Sequence, residues 1–303
     1  MNIREQSEEL ERKYLSPYAS LSCESQGRDR EEEQCDIRTV YQRDRDRIIH
    51  CKAFRRMKHK TQVFLAPRGD HYRTRLTHTL EVTQIARTIA RALFLNEDLA
   101  EAAALGHDLG HTPFGHAGES VLQECFSPDF THYKQSLRVV EKLENDGQGL
   151  NLTYEVRDGI VNHTGEHLAS TLEGRIVKFA DRIAYINHDI DDAVRAKVLK
   201  YEDIPKELVG ILGETHSARI NTMVSSVIHS GTGVNDIVME KEVYEATMSL
   251  RRFLNERVYY NPVAKHEEKR AKDLLRKLYE YFVKHPDEMP SEYLFDESES
   301  IER

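Results

Sequence analysis

The sequence predicts an all-α fold. Apolar residues recur at three- and four-residue spacing from Thr79 to about residue 283, the period of an amphipathic helix. Alternating apolar and polar runs, which would mark half-buried strands, are scarce. Hydrophobic residues make up 39% and charged residues 31% of the 303, the profile of a helix-rich globular chain rather than a disordered one. That length suits one large domain or two modest ones with a sizeable core.

Several classes of protein are disfavoured. No run of about 18 apolar residues is present, so no membrane span is expected. The opening MNIREQSEELERKY is charged and lacks an apolar h-region, so no secretory signal is expected. Cys23, Cys35, Cys51 and Cys125 lack CxxC spacing and read as reduced thiols of a cytoplasmic protein. A net charge of −9 argues against a nucleic-acid partner, yet leaves room for a local basic pocket holding a phosphorylated small molecule.

In chain order, residues 16–36 are polar and aperiodic and read as a mobile loop. Residues 37–60 carry nine Lys or Arg, with Ile48, Cys51 and Phe54 about three apart, and read as one amphipathic helix with a very basic face. That face is either solvated or part of a positive field. From Thr79, the positions Leu80, Val82, Ile85, Ala86, Ile89, Ala92 and Leu93 give a helix. An alanine-rich helix follows over 97–109, with Gly110 as its stop. Residues 132–144 give a short helix through Leu137, Val140 and Leu143, and 172–195 a long one through Ile176, Ala180, Ile183, Asn187 and Ile190. Later helices carry Leu250, Phe253 and Leu254, then Leu274, Leu275, Leu278 and Phe282. The tail 291–303 reads as frayed and acidic, and there is no internal repeat.

The stretch ALGHDLGHTPFGHAGE, residues 104–119, packs three histidines, an aspartate and a glutamate into sixteen positions. Adjacent helical residues point about 100° apart, so one ion reaches both His107 and Asp108 only from between them. Other helices must supply the remaining ligands. His78 opens the Thr79 helix, and Asp181 lies among Phe179, Ala180 and Ile183, where a carboxylate needs a partner or a metal. His78, His107, Asp108 and Asp181 together suit Mn, Fe, Co, Ni, Zn or Mg, and the lack of thiolate argues against structural zinc. Four protein ligands on an octahedral ion leave two positions open. Asp181, Tyr185 and Asp189 are spaced by four and fall within about 80° on one helix face. No GxxxxGK[ST] loop occurs, which removes the P-loop NTPases.

The H…HD…D pattern resembles the HD-domain metal-dependent phosphohydrolases. The segments RTVYQRDRDRIIHCKAFRRMKHKTQVF, YRTRLTHTLEV, GHDLGHTPFGHAGE, THYKQSLRVVEKLE and TLEGRIVKFADRIAYINHDIDDA extend the likeness, over roughly residues 16–285. They resemble the deoxynucleoside triphosphate triphosphohydrolases, in particular the bacterial dGTPase-like branch. The resemblance implies an HD-domain helical fold with additional N- and C-terminal helices. Residues 1–36 would be an N-terminal segment and loop, 37–200 the HD core and 201–290 a C-terminal helical part of the same domain. It also implies cleavage of a dNTP between the 5′-oxygen and the α-phosphorus, releasing deoxynucleoside and inorganic triphosphate. One divalent metal per site is implied, Mn or Mg favoured.

Residue by residue, the likeness makes His116, Glu119 and His132 catalytic. Glu119 and His132 would form a carboxylate-oriented imidazole, and His116 would position water or donate a proton. A supporting role beside the metal is the alternative for both histidines. His111, Arg75 and Arg182 would contact phosphates, where a guanidinium fork suits bidentate binding. For Arg182 a solvated helix position is the alternative. Tyr185, Asp189 and Gln62 would hold the deoxyribose, with Tyr185 leaving little room for a 2′-hydroxyl; for Tyr185 the alternative is packing against the next helix. Arg251 and Tyr259 in MSLRRFLNERVYY would lie near the triphosphate or base. The likeness further implies a homo-oligomer, and leaves open a second dNTP as activator. The DYxxGMTD-like C-terminal helix of many relatives has no counterpart in these 303 residues. The competing readings are another HD nucleotide hydrolase, acting on a deoxynucleotide, an alarmone or a cyclic nucleotide, and a dNTP-binding regulator with little turnover.

Overall fold

The computed structural model describes residues 1–62, 72–259 and 262–290. Thirteen α-helices account for most of them. Among the described residues there is no strand, only an isolated bridge between Thr61 and Thr74. None of these helices is long and apolar enough to cross a membrane. The tail expected to fray, 291–303, lies outside the described residues.

Helix α1, Ile3–Tyr14, has few apolar residues and none buried. It forms through a reciprocal cap between Asn2 and Glu5 and a pairing of Arg4 with Glu8. The polar groups that suggested a mobile loop over 16–36 instead tie that segment down. Arg28 pairs with the buried Asp44 and donates to Asn151 O at 2.6 Å. Ser25 and Gln26 both donate to Glu155 at 2.7 Å.

The single basic helix expected over 37–60 is broken. Helix α2 spans Val40–His50 and α3 spans Lys52–Arg56, followed by a 3₁₀ turn at Met57–His59. Cys51 interrupts them in an extended conformation (ψ 159°), and its sulfur caps Phe54 N at 3.3 Å. The basic face is neutralised locally. Arg43 and Arg47 meet Glu32, while Arg45 meets Asp46, Asp98 and Glu101.

Helix α4, Arg75–Ala92, starts four residues before Thr79 because Thr74 caps it through Thr77. Helix α5, Glu97–Gly106, ends earlier than Gly110. Gly110 acts through close packing instead: a Cβ there would lie 2.1 Å from the backbone nitrogen of Ser136. Then come α6, His116–Cys125, and α7, His132–Arg138, which runs into a π turn at Val139–Leu143. Helices α8, Tyr154–Val161, and α9, Leu172–Arg195, follow. The last four are α10 (Lys206–Leu212), α11 (His216–Gly231), α12 (Lys241–Leu254) and α13 (Pro262–Lys284).

Two cores meet at α5. Its Ala100, Ala103 and Ala104 join a cluster with α4, α9, α11 and α12. Its Leu99, Ala102 and Leu105 join a second with α2, α3, α8 and the π turn. Small side chains let α4 and α9 approach α5 closely. Ile176, Ile183, Ile186 and Ile190 of α9 are fully buried, each worth roughly 1.5–3 kcal/mol. The same packing delivers the N-terminus of α4, the end of α5 and the middle of α9 to one spot.

Candidate active site

Four of the expected ligands meet at that spot. His78 comes from α4, His107 and Asp108 from the turn after α5, and Asp181 from α9. His78 Nε2 lies 3.1 Å from Asp181 Oδ1 and 3.8 Å from Asp108 Oδ2. His107 Nε2 lies 3.6 Å from Asp108 Oδ1 and 3.9 Å from Asp181 Oδ1. His107 donates its Nδ1–H to Ala104 O at 2.6 Å, which leaves Nε2 as a bare lone pair, buried and without a hydrogen-bond partner among the described residues. A lone pair facing two carboxylates in a dry site is repulsive unless a positive charge lies between them. Burial pushes Asp108 and Asp181 up, but the surrounding imidazoles, with Arg75 beside Asp108, hold both well below the usual carboxylate range. His78, His107 and Asp108 place ligand atoms close enough together to hold a metal ion, and Asp181 Oδ1 lies beside His78 Nε2.

Beside this group stands a second one. Glu119, in the first turn of α6 where the helix dipole favours a carboxylate, places Oε2 3.1 Å from His116 Nδ1 and 3.2 Å from His132 Nδ1. Its Oε1 also accepts the His132 backbone N–H at 3.2 Å. Burial opposes ionisation of Glu119, yet the two imidazoles outweigh it and hold the carboxyl far below its ordinary value. Both rings therefore carry Nδ1–H, and both line the cavity. His116 is 82% exposed and His132 is 13% exposed. The His132 ring stacks on His111 at 4.0 Å, and His111 Nε2 sits 3.2 Å from Asp108 Oδ1, so the two groups are contiguous.

Both groups open into a cavity of about 520 Å³. Arg75, Arg182 and Arg251 line it. Arg75 also donates to Asp108 Oδ2 at 2.6 Å. It can do so because Gly115, at φ +56°, leaves room: a Cβ there would come within 2.9 Å of Arg75 Nη2. Tyr185, Asp189 and Tyr259 line one stretch of wall. Burial pushes the Tyr185 phenol up to about 12, so it is neutral. Tyr259 donates its hydroxyl to Asp189 Oδ2. Gln62 lines the cavity too, its Oε1 buried and without a hydrogen-bond partner among the described residues. His107 and Glu119 stand behind the wall.

Residues 43–60 contribute nothing to that wall. Arg43, Arg45 and Arg47 are paired with Glu32, Asp46, Asp98 and Glu101 instead. Lys60 acts from behind, donating to Leu109 O at 3.3 Å and His111 O at 2.6 Å. Sequence reasoning missed it, along with His163, Lys178 and His188. His163 donates Nδ1–H to Ile160 O at 2.7 Å, its ring packs on His107, and burial pulls its pKa to about 3. Lys178 lines the cavity one turn before Arg182 and was legible from its spacing to Asp181. His163 carries no such signal, since its neighbours come from distant segments.

Comparison with known proteins shows the family. An HD domain is matched over residues 75–186, and a phosphohydrolase-associated domain over 237–302. A deoxyguanosinetriphosphate triphosphohydrolase-like protein from Caldanaerobacter subterraneus is 63% identical, over 97% of this chain and 87% of its own length. Proteins of the same description from Desulfatibacillum aliphaticivorans and Clostridium perfringens are 54% and 51% identical, over 95% and 97% of this chain and 86% and 88% of theirs. Among solved structures, a hypothetical protein from Aquifex aeolicus shares the fold with a TM-score of 0.52 at 23% identity, over 78% of this chain and 60% of its own. A phosphohydrolase from Bacteroides thetaiotaomicron gives 0.53 at 20% identity, over 82% and 58%. The chain is an HD-domain phosphohydrolase, and it belongs to the family of deoxyguanosinetriphosphate triphosphohydrolase-like proteins.

Proposed function

We propose that this chain hydrolyses a deoxynucleoside triphosphate, dGTP or another dNTP, to deoxynucleoside and inorganic triphosphate. The observation that carries the reading is the meeting, in one cavity, of the His78, His107, Asp108 and Asp181 group with the His116, Glu119, His132 group. The names of the relatives favour the same substrate class. A divalent cation, Mn²⁺ or Mg²⁺, held by the first group would polarise the α-phosphate and activate a water. Arg75, Arg182 and Arg251 bind and orient the phosphates. Glu119 keeps Nδ1–H on His116 and His132, so that whichever ring also takes a proton on Nε2 can pass that proton to the leaving 5′-oxygen and finish as the neutral Nδ1–H imidazole. Tyr185, Asp189 and Gln62 hold the sugar, and the Tyr185 ring excludes a 2′-hydroxyl.

Incubation with Mn²⁺ and each dNTP, followed by chromatography, tests this. Deoxynucleoside with triphosphate is the expected product pair. Diphosphate or pyrophosphate would contradict the proposed bond cleavage. Turnover only of deoxynucleotides, alarmones or cyclic nucleotides would favour another HD hydrolase, and tight dNTP binding without product would favour a regulator.

A further inference from the structure

His188 has no role in the reaction described above, yet it is completely buried against it. It lies on α9 next to Asp189, and its ring stands edge-on to that of His78 at 5.0 Å, 83° between planes. His78 Nδ1 and His188 Nε2 are 2.8 Å apart. Two imidazole nitrogens at that distance share one proton. For His78 to offer its Nε2 lone pair to a cation, the proton must sit on His78 Nδ1 and be donated to His188 Nε2. His188 then carries its own proton on Nδ1. That nitrogen lies 2.9 Å from Asp189 Oδ1, near enough for charge stabilisation although off the line of a hydrogen bond. The other Asp189 oxygen accepts from Tyr259. Tyr259, Asp189, His188 and His78 thus stand in one row of close polar contacts.

We propose that His188 is the positioning residue that fixes the tautomer and ring orientation of His78 for a divalent cation. The inference rests on the cation site of the proposed function. A ligand imidazole whose second nitrogen loses its partner binds metal about 10–100-fold more weakly.

The test is the dissociation constant for Mn²⁺ alone, without nucleotide, read from the electron paramagnetic resonance of free Mn²⁺. His188→Leu removes the acceptor and is expected to weaken binding by about 10–100-fold. His188→Gln can place an amide oxygen where Nε2 was, and is expected to restore affinity to within a few-fold of wild type. Circular dichroism of each apo variant separates loss of fold from loss of affinity. Should His188→Leu unfold, His188→Asn, too short to reach His78, takes its place with the same expected loss. Wild-type affinity in the variant lacking the acceptor overturns the inference while leaving the cation site standing. Equal weakening in the Leu and Gln variants also overturns it, because packing would then be the cause. Failure of the wild-type protein to bind Mn²⁺ removes the cation site itself.

Discussion

Glu119 is the residue whose geometry commits most strongly to one role. A single carboxylate receives Nδ1–H from two histidines that are 16 positions apart, and its ionisation is secured by both. Glu119→Gln loses the charge, and an amide whose oxygen keeps both histidines turns its NH₂ towards the His132 backbone N–H, donor against donor. The expected result is a kcat lower by about 10²-fold or more with Mn²⁺ affinity unchanged, measured by steady-state kinetics and metal titration. Loss of metal in that variant would instead assign Glu119 to the cation site. His107 behaves differently. Its Nδ1 bond to Ala104 O costs nothing extra when metal binds, so the ring is already set with Nε2 inward.

At the scale of elements, the turn between α5 and α6 is held from two sides. Lys60 grips the carbonyls of Leu109 and His111, and Gly110 lies flush against the backbone of α7. Gly110→Ala would drive a methyl into Ser136 N, Gln135 C and His132 O, with no flexible side chain to yield. We expect a loss of about 1–3 kcal/mol in stability, and a fall in kcat as His132 moves off Glu119, measurable by thermal melting and kinetics. The 16–36 segment depends on charge. The hydrogen bond from Arg47 holds the Glu32 carboxyl down to about 2, against an ordinary 4.5. A depressed carboxylate stabilises the fold above its unfolded value and loses that contribution as pH falls through the folded one. Glu32→Gln should therefore melt below wild type at pH 6, and the two should converge as pH drops from 4.5 towards 2. A gap that persists at pH 2 would assign the effect to shape instead of charge.

At the scale of the whole molecule, one alanine-rich helix lies between two cores and so brings three distant segments to one cavity. What was legible in advance follows from how local its cause is. Helix α9 was readable to its ends, because 24 residues of unbroken periodicity begin at a threonine cap. Helix α1 was not, since it buries nothing and rests on caps and ion pairs. The break at Cys51 was hidden because apolar spacing continues across it. The cation-binding residue types were readable as chemistry, but their supports were not. Lys60 meets His111 across 51 positions and His188 meets His78 across 110, and no local pattern encodes either contact.

Diffraction from crystals grown with Mn²⁺, with anomalous data collected at the manganese edge, tests the central claim most directly. The account predicts one strong peak per chain, coordinated by His78 Nε2, His107 Nε2 and the carboxylates of Asp108 and Asp181. A peak centred on other side chains, or the absence of any peak at saturating metal, would contradict it.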